Sequence, residues 1–258
     1  MSGDSIGDLT DGGIQAVRRH LSGASAILLS PPSPLPRMSP PVSTRSRRDL
    51  GYAVASPLLL VVACAAVQVV AGQLIGVWAW VPTMLSFWAL IAWVVRDFGG
   101  GNSSWRARFG PASGNTVWSV LAVAAGGLTL HGFLGHYPLL EAPHVVVAWL
   151  AFALVNPWFE ESYWRGVLTD ATASWGRLPS LAYTSAWFAV SHPLIWGIHS
   201  LPLRKPSAVG ALFFVGLLWG LAYQRTGTLR WCVLRHVLAN LLGLAALVLL
   251  HLYDPTGG

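Results

Sequence analysis

Three short runs of the 258-residue chain hold side chains that can do chemistry, each at helical spacing. Glu160 and Glu161 stand together, with Arg165 four residues after the second; Phe188 precedes His192 by four, and His236 precedes Asn240 by four. Residues four apart share a helix face, so Glu161 and Arg165 are placed to neutralise each other, whereas Glu160 points about 100° away. That leaves Glu160 facing something other than the arginine, as a general acid or base would. A carboxylate, two imidazoles and a carboxamide make up a base, a proton-handling partner and oxyanion donors. This is equipment for water attack on an amide. Each run alone also has a plain reading. The glutamates can be solvated at an interfacial helix end, His192 can make one interhelical hydrogen bond, and His236 with Asn240 can be polar glue worth about 0.6 kcal/mol. Their joint occurrence, with Glu160, His192 and His236 in the middle third of three apolar runs, favours one shared polar cavity.

The elements that must position these groups are set by composition. Of all residues 54% are hydrophobic and 10% are Asp, Glu, Lys or Arg, against about 25% charged in a soluble domain. The mean hydropathy is +0.55. A soluble enzyme, a disordered regulator and a disulfide scaffold are excluded, and an all-α polytopic transmembrane bundle is expected. Cys64 and Cys232 lie inside apolar runs and imply neither a disulfide framework nor a cysteine zinc site. Many of the 14 Trp, such as Trp78, Trp80, Trp105 and Trp231, lie near the ends of apolar runs, at headgroup level.

Residues 1–48 are rich in Gly, Ser, Pro and Arg and read as a disordered tail, with Met38 as an alternative start. Transmembrane helices are expected over 49–143, a catalytic core over 144–252 and a short tail over 253–258. Seven spans follow from the apolar runs: about 51–77, 78–95, 116–135, 144 to beyond 165, 178–195, 207–224 and 229–252. Pro193 disfavours helical geometry at His192, so the fifth helix is expected to end or break there. The formal charge is +6, and all but one of the 16 basic residues are Arg. Arg45 to Arg48, Arg96, Arg106, Arg108, Arg177, Arg225 and Arg230 all fall on one side of a seven-span topology. This puts the N-terminus inside, in a bacterial inner membrane by expectation, with no nucleic-acid partner. Arg204 and Lys205 are the misfit, which an eighth, re-entrant or split element around 193–206 would explain.

In that order, Glu160-Glu161-x-x-x-Arg165, Phe188-x-x-x-His192 and His236-x-x-x-Asn240 resemble the three motifs of the CPBP family, which comprises CAAX proteases and bacteriocin-processing (Abi) enzymes. The run Gly220 to Arg230 before His236 is similar to that family's approach to its third motif. The resemblance covers roughly residues 145–245; Tyr163-Trp164 stands where many members have a smaller aliphatic residue and a Phe. It implies an intramembrane endopeptidase with a helical core around a conical cavity. By the same resemblance, Glu160 with His192 would activate water and His236 with Asn240 would hold the oxyanion. Glu161, Arg165 and Phe188 would be structural or orienting. The substrate would be a peptide or protein entering from the membrane or the cytoplasmic side, with membrane lipid as the other partner. A metal-free glutamic mechanism is favoured. If zinc is used, its ligands would be Glu160, His192 and His236, although no HExxH pair is present.

Two other classes compete. A catalytically inactive scaffold or immunity-type peptide binder would keep the fold but has no evident need for Glu160. A proton-coupled transporter would use intramembrane His and Glu, but the halves of the chain show no matched internal repeat.

Overall fold

The computed structural model describes the backbone of residues 47–111, 117–127, 129–197 and 201–244. The expectations for a disordered tail, for the Met38 start and for residues 245–258 lie outside the described residues, apart from Arg47 and Arg48. All regular structure among the described residues is helical.

Helix α1 (Arg47–Ile75) turns through a short 3₁₀ segment, Gly76–Ala79, into α2 (Trp80–Phe98). Thr83 donates to the Gln68 side chain at 2.8 Å across that turn, so the two helices form an antiparallel hairpin. Pro57 lies inside α1 and cannot bond the carbonyl one turn back. Ser56 Oγ donates to that Ala53 carbonyl at 2.6 Å and repairs the gap. Next come α3 (Gly101–Arg108), α4 (Val117–Gly127) and α5 (Leu130–His136). The single span expected over 116–135 is therefore two helices. The first ends where Gly126 packs on α10 (Arg230–Ala239): a Cβ at Gly126 would sit 2.7 Å from the Arg235 carbonyl oxygen.

Helix α6 (Pro143–Glu161) runs directly into a π-helical turn, Ser162–Val167, so the helix continues beyond Arg165 as expected. The short α7 (Leu168–Ala171) follows, then α8 (Arg177–Ile195), α9 (Pro206–Thr226) and α10, which ends in a second π turn, Asn240–Leu244. Helices α8 and α9 are antiparallel and close: a Cβ at Gly216 would lie 3.1 Å from Ser185 Cβ, and Arg177 Nε donates to Gln224 Oε1 at 3.1 Å. Small residues permit such approach between membrane helices.

One expectation is corrected here, while the fifth span does end at Ile195 as expected. The α8 helix does not break at His192 but continues through Pro193 to Ile195. The His192 carbonyl accepts from Trp196 N at 2.8 Å and Gly197 N at 3.0 Å, which closes the last turn past the proline. Around 193–206 the described residues hold one 3₁₀ turn, Leu201–Arg204, and the expectation of an eighth, re-entrant or split element falls partly outside the described residues. Arg204 Nε donates to Gly197 O at 2.5 Å and ties that turn back.

By length and composition, two segments could cross a membrane: Gly51–Phe98, mean hydropathy 2.4, and Pro206–Thr226, mean hydropathy 1.6. The remaining expected spans do not meet that test among the described residues. The burial pattern nevertheless departs from that of a soluble domain. Leu74, Val120, Val147, Leu154 and Phe214 are exposed, while Glu160, Glu161, Arg165, Arg235, His236 and Asn240 are buried. Exposed apolar side chains around an apolar core that encloses a polar cluster fit hydrocarbon as the surrounding solvent.

Candidate active site

The end of α6 delivers the two glutamates. Glu161 is wholly buried, and its Oε1 lies 3.2 Å from Arg165 Nη1, across the first residues of the π turn. The same Oε1 accepts a 2.8 Å hydrogen bond from His236 Nδ1 on α10. Glu161 therefore links the first run to the third, 75 residues away. Spacing foretold the arginine contact. It could not foretell the histidine, because that contact depends on how α6 and α10 pack.

His192, on α8, donates Nδ1–H to the Phe188 carbonyl at 2.6 Å, since a carbonyl can only accept. With both Nδ1 atoms engaged as donors, the neutral rings of His192 and His236 carry their free lone pair on Nε2. Glu160, His236 and Arg165 all lie within electrostatic range of His192.

Phe188 holds the assembly together. Its ring meets His192 edge-on at 4.6 Å and His236 edge-on at 6.4 Å, with the Arg165 guanidinium carbon 4.3 Å from its centroid. Trp219 on α9 closes the other side: His236 lies 5.1 Å from it, Arg165 at 5.5 Å and Arg235 at 5.1 Å. Cations over aromatic faces gain about 0.5–2 kcal/mol, the upper end applying where water is excluded.

Glu160, 1% exposed, faces Asn156 one turn earlier on α6, whose Nδ2 donates to Oε1 at 2.7 Å. Among the described residues, Glu160 Oε2 has no hydrogen-bond partner, and neither does Nδ2 of the buried Asn240, at the start of the second π turn. One is an acceptor and the other a donor. π turns inside α-helices recur at functional sites, and the two among the described residues each hold a motif residue, Arg165 and Asn240.

The structure thus brings Glu161, Arg165, Phe188, His192 and His236 into one packed cluster. Glu160 adjoins it through Glu161, and Asn240 sits one turn beyond His236. Sequence reasoning assigned nothing to Asn156, Trp219 or Arg235. Asn156 was detectable, as the lone polar side chain in the apolar run before Glu160, at the same four-residue spacing. Arg235 is wholly buried, with Nη2 donating to the Trp219 carbonyl at 2.8 Å. It lies within electrostatic range of Glu161, as Arg165 does. Tyr163 and Trp164 are also wholly buried. The first bonds Ser56 of α1 at 2.8 Å and the second packs on Phe188 at 6.1 Å, so both act as packing around the π turn.

The polar groups form a closed cluster rather than an open cone, His192 being its most exposed acid–base group at 9%. A cavity of about 350 Å³ lies elsewhere, between α1 and α2, lined by Tyr52, Ser56, Leu59, Trp93 and Phe98. Among the described residues no three His, Cys, Asp or Glu side chains come together as a metal-holding group. The set Glu160, His192 and His236 is not grouped in that way among the described residues.

With that geometry in place, comparison with known proteins adds one finding. Residues 142–242 match the family model described as type II CAAX prenyl endopeptidase Rce1-like, the CAAX-protease family that the three motifs resemble. The match runs from the start of α6 into the second π turn and contains every motif residue. No curated protein and no solved structure matches the chain.

Proposed function

We propose that the chain is an intramembrane endopeptidase that hydrolyses a peptide bond of a membrane-associated peptide or protein, by a metal-free glutamic mechanism. The observation that carries this reading is the Phe188 ring, against which the motif residues Arg165, His192 and His236 all pack. The family match to a CAAX endopeptidase supports it.

Glu160 Oε2, assisted by His192 Nε2, takes a proton from water as the oxygen attacks the scissile carbonyl carbon. The carbonyl π pair moves onto oxygen, and Asn240 Nδ2–H donates to that oxyanion. His236 can donate as well only when its ring is doubly protonated, because Nδ1–H is already committed to Glu161. The Glu161 carboxylate is the counter-charge such a ring requires. Collapse of the intermediate breaks the C–N bond, and the proton held by Glu160 and His192 goes to the leaving amine. The site lies in a bacterial inner membrane with the N-terminus cytoplasmic, a reading supported by the placement of arginines along the chain.

Cleavage of a reporter peptide by the chain and by Glu160→Gln in the same detergent tests the reading. The substitution is expected to lower kcat at least about 100-fold, the usual scale for a lost general base. Equal turnover, or none from either across a broad peptide panel, would favour a peptide-binding scaffold. Chelators are expected to leave the rate unchanged. Loss of activity on chelation, restored by zinc, would overturn the metal-free mechanism.

A further inference from the structure

The Glu160 carboxyl is held by a hydrogen-bond chain that begins outside the matched segment. Trp88, on α2, donates its indole N–H to Asn156 Oδ1 at 2.9 Å. An indole nitrogen only donates, so the amide atom facing it must be the oxygen. That fixes the orientation of Asn156, and its Nδ2 then donates to Glu160 Oε1 at 2.7 Å. Trp88 is itself held flat against Phe159, the neighbour of Glu160, at 5.5 Å and 10°. A glutamate's terminal torsion is broad and two-fold, so without the donor its two oxygens would exchange roles. With it, Oε1 is occupied, and Oε2 keeps its lone pairs among the described residues.

We propose that Asn156 is a positioning residue for Glu160, oriented by Trp88, and that the pair selects Oε2 as the oxygen that receives the proton from water. The proposal rests on the peptidase reading and gives the unmatched N-terminal half a role in the site. Trp88→Phe removes the N–H and keeps an aromatic ring to lie on Phe159. Asn156→Leu removes the donor at similar size, and Asn156→Asp keeps the shape while offering Glu160 a carboxylate.

The full chain in detergent is assayed for kcat and KM with the reporter peptide. Asn156→Leu and Asn156→Asp are expected to lower kcat about tenfold or more, with KM within about threefold of the parent, as for a group misplaced in the transition state. Trp88→Phe is expected to lower kcat severalfold alone and not at all in the Asn156→Leu background, because both act through one contact. Additive losses, or parental kcat in Asn156→Asp, overturn the proposal. A second readout needs no turnover: the infrared carboxyl band of Glu160, isolated by subtracting the Glu160→Gln spectrum. A band that moves in Asn156→Leu and in Trp88→Phe supports the link, even if the parent cleaves nothing and the peptidase reading falls. An unmoved band overturns it.

Discussion

At the scale of single residues, Glu161 is the junction of the site, meeting Arg165 at 3.2 Å and His236 at 2.8 Å with no exposure to solvent. Removing one partner of a buried ion pair leaves the other charge uncompensated, at a cost of about 3–5 kcal/mol. Arg165→Met is therefore expected to lower the thermal unfolding midpoint in detergent sharply. Glu161→Gln is expected to destabilise as well, because it leaves the buried Arg165 guanidinium uncompensated, although the Gln carbonyl can still accept from His236 Nδ1. It should reduce kcat by about tenfold or more, since it removes the counter-charge for a doubly protonated ring. A Glu161→Gln variant with parental kcat would remove His236 from the oxyanion role. The pairs legible in the sequence were those made within one helix: Glu161 with Arg165, and Phe188 with His192. What spacing did not encode was His236 reaching Glu161, or Trp88 reaching Asn156. Those contacts join residues 75 and 68 positions apart, and they exist only once the helices have packed.

At the scale of elements, helix positions were mostly legible, because apolar run length and flanking polar residues bound them. The corrections have local causes. Pro193 lies in the final turn of α8, where it costs little, and the His192 carbonyl finds two donors beyond it. The expected 116–135 span is two helices, and near the end of the first lies a close approach that hydropathy does not record. At Gly126 a Cβ would sit 2.7 Å from a backbone oxygen of α10, one residue before His236. Gly126→Ala is expected to push α4 from α10 and destabilise by about 1–3 kcal/mol, the usual scale of overpacking. It should also lower kcat, because α10 carries His236. The matched control is Gly127→Ala, where nothing lies within 4 Å of the added carbon. There the substitution is expected to be neutral or to stabilise by up to about 1 kcal/mol through helix propensity. Thermal unfolding of the two variants side by side decides the point, and equal midpoints would show that the helices have room to spare.

At the scale of the whole molecule, the arginines that the sequence assigned to inner loops are gathered at one end by contacts between distant segments. Arg108 donates to the Gly99 carbonyl at 2.7 Å and pairs with Asp170 in α7. The Arg108 carbonyl accepts from Leu229 N at 2.8 Å, Thr228 donates to the Gly110 carbonyl at 2.9 Å, and Arg230 donates to the Phe109 carbonyl. Arg177 and Gln224 meet at the facing ends of α8 and α9, with Arg225 alongside. Since α8 and α9 are antiparallel, the 201–205 turn lies at the opposite end, and so Arg204 and Lys205 sit away from those cations. Retention of Lys and Arg on the cytoplasmic side orients membrane proteins, so the cationic end is expected to face the cytoplasm. Cysteine labelling can read this directly, because the native Cys64 and Cys232 are buried. Arg106→Cys and Lys205→Cys both replace exposed residues. In inner-membrane vesicles of known sidedness, an impermeant maleimide should reach Arg106→Cys only from the cytoplasmic side and Lys205→Cys only from the other. The reverse pattern would invert the topology. Labelling of both variants from one side would mean that α8 and α9 do not traverse the bilayer, and with them the placement of His192 inside it would fall.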